Sequence, residues 1–113
     1  MSSAALEALG NIRPAGSTLA QDFYECIRGE IKASEADAKE GEQAIWTVAC
    51  MNGREYAIDQ VGYSNPTLMR FRVLEPDGST SKLLMHVAAV QMFRKILKLQ
   101  PKEEKRRIGF ENG

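Results

Sequence analysis

The sequence predicts a two-layer α+β domain. A three- to four-stranded antiparallel sheet carries an N-terminal and a C-terminal helix, in the order α-β-β-β-(β)-α. Three observations point there. Leu19, Phe23, Ile27 and Ile31 recur every four residues, a helical stripe. Asn52-Gly53 separates two runs rich in β-branched and aromatic residues, a strong hairpin signal. Met69, Phe71 and Val73 then alternate with Arg70 and Arg72, the period of a half-buried strand.

The first helix starts at Thr18. Thr18 and Gln21 fit a capping box, and Asp22 puts negative charge in the first turn. Tyr24 and Cys26 flank the apolar stripe, while Glu25, Arg28, Glu30, Lys32, Glu35 and Asp37 fill the other side. Gly41 is a natural stop, so the helix spans about five turns at ordinary helical pitch. The hairpin follows as strands over Gln43–Met51 and Arg54–Val61. A two-residue type I′ turn at Asn52-Gly53 sets Met51 opposite Arg54, Ala49 opposite Tyr56 and Thr47 opposite Ile58. Neither face of that hairpin is wholly polar, so both are expected to be partly covered. Gly62 to Pro66 breaks the chain, because Pro66 has no N–H for a ladder and holds Asn65 extended. A third strand runs from Thr67 to Leu74, and Pro76-Asp77-Gly78 turns the chain into a fourth over Ser79–Met85. His86–Leu99 reads as the second helix, with Val90, Phe93, Ile96 and Leu97 inward, ended by Pro101.

Three units are expected: an N-terminal segment 1–16, flexible or docking; a single domain 17–100; and a basic tail 101–113. Ser3–Leu9 holds about two turns of helical pattern, too short to be stable alone. In the tail an apolar pair, Ile108 and Phe110, follows Lys105-Arg106-Arg107, the pattern of a peptide that docks.

With 113 residues, 43% of them hydrophobic, the chain is one domain long and apolar enough for a core, not disordered overall. Fifteen basic residues balance fifteen acidic ones, so the excess that coats nucleic acid is missing. The charge is nonetheless segregated: −4 over Met1–Glu42, zero over Gln43–Phe93 and +4 over Arg94–Gly113. No apolar run spans a membrane, and Met1–Gly10 lacks the features of a secretory signal, so a cytoplasmic location is expected. Two cysteines are too few for a disulfide framework, and Cys26 and Cys50 are expected to be buried, reduced thiols.

Val61-Gly62-Tyr63-Ser64-Asn65-Pro66, Leu83-Leu84-Met85-His86-Val87 and Arg106-Arg107-Ile108-Gly109-Phe110, in that order, give a further lead. Together they resemble a family of small bacterial proteins classified only as a domain of unknown function. The resemblance covers roughly Gln43 to Phe110. It implies a compact bacterial domain ending in an Arg-Ile-Gly-Phe peptide, and it implies no reaction.

The search for chemistry is short. His86 is the one histidine, and a structural role competes with a ligand-binding one. Three His and Cys residues in all do not make a zinc site, and no nucleotide, zincin or hydrolase motif occurs. No enzyme, cofactor or metal is expected. Asp59 is expected to make a cross-strand polar contact. Binding is the better expectation, first of all self-association as a homodimer or with another protein partner, encouraged by the segregated charge. The alternative is an anion, nucleotide or nucleic-acid binder in which Arg70 and Arg72 grip a phosphate and Lys98, Lys102, Lys105, Arg106 and Arg107 add phosphate contacts. A third arrangement places a small ligand or peptide among Tyr63, Asn65 and His86, against the simpler reading of a rigid turn whose Tyr packs.

Overall fold

The computed structural model describes residues 17–100 and 105–111. The expected turns at Ser3–Leu9, the whole segment 1–16 and Lys102 lie outside the described residues. One helix, α1 (Leu19–Asp37), packs across one face of a six-stranded sheet. The strands are β1 (Glu42–Ala49), β2 (Glu55–Ser64), β3 (Leu68–Leu74), β4 (Thr80–His86), β5 (Met92–Lys98) and β6 (Gly109–Phe110). Their order is β4-β3-β2-β1-β5, all antiparallel, with β6 running parallel to β2. The class is α+β, and the described residues hold more strand and one helix fewer than the sequence suggests.

The helix buries Ala20, Tyr24, Ile27, Ile31 and Ser34. Leu19 is exposed, and Phe23 is only half-buried. The expected every-fourth-residue stripe fails for a geometric reason. Four residues turn a helix by about 400°, so a strict period of four drifts about 40° per step. Over the twelve residues from Leu19 to Ile31 the drift reaches about 120°, a third of the circumference. The real seam therefore starts one position later and alternates steps of four and three. The same rotation leaves Cys26 exposed, which corrects the expectation of a buried thiol; both cysteines are free.

No capping box forms. Thr18 Oγ1 donates to Asp22 Oδ2 at 3.2 Å and caps no backbone N–H. The first-turn N–H groups go instead to the loop between β2 and β3. Ala20 N–H donates to the Pro66 carbonyl at 2.8 Å, and Gln21 N–H to Asn65 Oδ1 at 3.1 Å. The helix start is thereby fixed to the sheet, by a cap supplied from far along the chain. Ala20, Tyr24, Ile27 and Ile31 meet Val48, Ile58, Val61, Met69, Phe71 and Val73 in one core. Full burial of side chains such as Phe71 stabilises the fold by about 1.5–3 kcal/mol each. At the far end Trp46 Nε1 donates to the buried Ser34 Oγ at 2.9 Å, tying β1 to the last turns.

The hairpin turn differs from expectation by one residue. Cys50 N–H donates to the Arg54 carbonyl at 2.8 Å, and Gly53 N–H returns to the Cys50 carbonyl at 3.0 Å. Met51, Asn52 and Gly53 therefore make a three-residue loop with Gly53 at φ 83°, a type I turn closed by a glycine bulge. The register becomes Thr47 opposite Ala57 and Val48 opposite Tyr56. A slip of one turns a strand over. Tyr56 and Ile58 thus join Val48 on the helix side, and Ala57 faces away.

The largest correction concerns residues 86–99. Residues 86–99 form no second α-helix. β4 ends at His86, a single 3-10 turn covers Val87–Ala89, and β5 lies antiparallel to β1 over seven pairs from Glu42–Lys98 to Val48–Met92. Apolar residues at 92, 93, 96 and 97 suit a helix better than a half-buried strand. The sheet overrides this because β1 meets β2 at only three positions, Thr47 to Ala49. Without β5, the backbone groups from Glu42 to Trp46 would lose their ladder.

Candidate functional site

β1 and β2 diverge after their three shared pairs, and the tail fills the gap. β6 pairs Gly109 with Gln60 and Phe110 with Val61, and Glu111 N–H donates to the Val61 carbonyl at 2.8 Å. On the opposite wall Gln43 Nε2 donates to the Arg106 carbonyl at 3.1 Å. Residues 106–111 thus lie as an extended peptide held from both sides, and the sheet continues past residue 100. Alternation sends Ile108 and Phe110 toward the helix, where both pack on the core. Phe110 meets Tyr24 edge-on, with ring centroids 6.0 Å apart, and Arg28 lies over its face at 5.6 Å. Tyr24 also touches Tyr63, at 4.8 Å. Glu111 points to the other side of the sheet and reaches Arg70 at 3.2 Å. A residual cavity of about 80 Å³, bordered by Trp46, Ala57, Ile58 and Ile108, remains beside the peptide.

The expected ligand triad does not assemble. Tyr63 pairs across to Met69 and Met85 on the helix side, whereas His86 aligns with Leu68 and Ser64 on the opposite side. Tyr63 packs on Tyr24, and Asn65 holds the helix start through both amide atoms, its Nδ2 donating to Gln21 Oε1 at 3.3 Å. His86 Nδ1 accepts from Ala88 N–H at 3.0 Å and caps the 3-10 turn. Each residue of the triad has a structural contact of its own: the Tyr24 ring for Tyr63, the helix start for Asn65 and the 3-10 turn for His86.

Arg70 and Arg72 do share the face away from the helix, but each already has a carboxylate. Arg72 Nε donates to Asp59 Oδ2 at 2.6 Å. A bulge in β2 makes this contact: Asp59 is the extra residue where the register shifts between Ile58 and Gln60. Arg70 Nη2 donates to the Tyr63 carbonyl at 2.9 Å as well as pairing with Glu111. Gln60, Lys82 and Glu111 border the shallow hollow of about 360 Å³ between the two arginines. The carboxylates give it mixed charge in place of a cationic clamp. Of the basic end, Lys98 is exposed at the close of β5, Lys105 Nζ reaches the Lys39 carbonyl at 3.4 Å, and Arg106 and Arg107 are exposed.

The side of the sheet away from α1 has no covering layer among the described residues. In one transverse row Leu74, Ala57, Thr47 and Phe93 stand side by side across β3, β2, β1 and β5. Ile45 and Leu97 continue the apolar surface along β1 and β5. Phe93 is 48% exposed and Leu97 50%; Leu84, separated from them by Arg72 and Lys82, is 55% exposed. The sequence hides this surface because Phe93 and Leu97 read there as the inner face of a helix. Tyr24, Arg28 and Gln43, which hold the tail, also escape sequence reasoning, since nothing local says what a docking peptide docks on.

Among the described residues no helix is long and apolar enough to cross a membrane, and no group of three or more His, Cys, Asp or Glu side chains is placed to hold a metal ion. Comparison with known families, with curated proteins and with solved structures finds no match.

Proposed function

We propose that this protein is a non-enzymatic interaction module that self-associates through the uncovered side of its sheet. The observation that carries the reading is the exposed pair Phe93 and Leu97 on the uncovered side, with partly exposed Leu74, Ala57 and Ile45 on the same side. Apolar patches on the order of 300 Å² or more on a single chain tend to serve contacts. A second copy placing the same patch against this one covers both, the arrangement of a two-fold dimer. The alternative, an anion or nucleic-acid binder, draws less support, because Arg70 and Arg72 are each engaged by a carboxylate.

The test is light scattering with Phe93→Lys as the comparison. The wild-type chain should show a dimer mass at tens of micromolar and physiological salt, and Phe93→Lys a monomer mass with an unchanged circular dichroism spectrum. A wild-type monomer throughout that range would remove the proposal.

A further inference from the structure

We propose that the cleft between β1 and β2 is a peptide-binding site, and that the tail of a second copy enters it in exchange for the chain's own. The cleft treats residues 106–111 as a ligand. It adds their backbone to β2, bonds the Arg106 carbonyl from β1, receives Ile108 and Phe110 on the core, and meets Glu111 with Arg70. This is strand addition with side-chain readout at alternate positions. It selects an extended segment with an apolar residue, an aromatic ring two positions on and an acid after it. Between the two apolar positions Gly109 lies against Gln60, where an added Cβ would make an ordinary contact with Gln60 Cγ at 3.5 Å.

The occupant follows from the same contacts. The backbone and core contacts described for the peptide come from residues 106–111, and the wall comes from α1, β1, β2 and β3. A tail from another molecule therefore makes the same contacts, and exchanging an identical element between copies is a low-cost route to association. The own tail holds the advantage of proximity, with an effective concentration in the millimolar range for a short connection. Exchange is visible once that advantage is offset. Glu111 and Arg70 provide the means, since their side chains are 41% and 23% exposed and neither belongs to the apolar core.

The experiment uses the full chain with Phe93→Lys throughout, so that association through the sheet face does not enter. A fluorescein-labelled peptide of residues 105–113 is titrated by anisotropy into three chains: the Phe93→Lys background, background plus Glu111→Lys, and background plus Arg70→Glu. The peptide should bind the Glu111→Lys chain at least fivefold more tightly than the background chain. A peptide carrying Glu111→Lys should lose that binding and regain it on the Arg70→Glu chain. Mixing the Glu111→Lys and Arg70→Glu chains should then give a mixed dimer by native mass spectrometry, because the reversed tail matches the reversed cleft. No saturable peptide binding to a folded Glu111→Lys chain would overturn the site. Peptide binding without the mixed dimer would overturn the second copy as its occupant.

Discussion

Replacing Phe110 by Ala removes the ring at the centre of the tail's docking. The ring is half-buried, so the transfer contribution is about half that of a fully buried Phe, or about 0.8–1.5 kcal/mol. The edge-on contact with Tyr24 at 6.0 Å adds about 0.5–1 kcal/mol. The guanidinium of Arg28 at 5.6 Å adds a further ~0.5 kcal/mol. The expected loss is therefore about 2–3 kcal/mol, which lowers the melting temperature by roughly 10 °C for a domain of this size. Urea unfolding followed by far-ultraviolet circular dichroism measures it, with Lys105→Ala as the companion. Lys105 makes only an exposed contact to the Lys39 carbonyl, so its removal should change stability by less than about 0.5 kcal/mol. If Phe110→Ala costs no more than Lys105→Ala, the tail does not contribute to the core and the docked arrangement of residues 106–111 is wrong.

Gly53→Ala should cost about 1–2 kcal/mol in the same assay, since φ is 83° and no neighbour lies within 4 Å of the new methyl, leaving the left-handed backbone as the cause. No loss would contradict the left-handed backbone at Gly53. Ser34→Ala should cost about 1–2 kcal/mol, because it strips the buried Trp46 Nε1 bond of its acceptor. The single tryptophan gives the readout, and an unchanged unfolding midpoint would refute the contact. The Ser79 hydroxyl, bonded to Asp77 Oδ1 at 2.6 Å, and then the Ser79 N–H hold the Asp77 carboxyl below the usual carboxylate range. A lowered folded-state value contributes stability above the unfolded-state value, and that contribution disappears as pH falls through the folded-state one. Ser79→Ala should move the Asp77 titration, read by carboxyl NMR, upward toward the ordinary value, and an unmoved titration would contradict the turn geometry.

The sequence makes legible whatever is specified within one element. Alternation over Met69–Val73 identifies β3 and its inward face, and all three apolar residues are buried there. The amphipathic stretch after Thr18 identifies α1, and Asn52-Gly53 identifies the hairpin. What escapes is specified between elements. The slip between β1 and β2 depends on whether the turn holds two residues or three, a difference of one backbone conformation that reverses which side Tyr56 and Ala57 face. The strand β5 exists because β1 separates from β2 and needs a partner, a requirement with no trace in Met92–Lys98 itself. The docking peptide shows the limit most plainly. Ile108 and Phe110 announce a contact, but its other half is dispersed over Tyr24, Arg28, Gln43 and Arg70 on three different elements.

The charge on β5 decides which kind of self-association the sheet permits. Its outer edge is unpaired among the described residues, and free edges invite strand-to-strand pairing. A two-fold pairing of β5 with itself keeps each residue on its own side, so only residues of equal parity oppose each other. Three registers then align at least five of its seven residues. One sets Arg94 against Arg94, one Lys95 against Lys95, and one Arg94 against Lys98. Each places like charges directly opposite, which destabilises a sheet pair. Edge pairing is thus opposed in every extended register, although the strand's length and its apolar residues would favour it. Contact through the side carrying Phe93 and Leu97 escapes the penalty in part. There the one base between them, Lys95, already faces Glu55 at 3.7 Å, while Arg94 and Lys98 point to the other side. Arg94, Lys95 and Lys98 therefore oppose edge pairing of β5 and favour the uncovered face for the self-association proposed above.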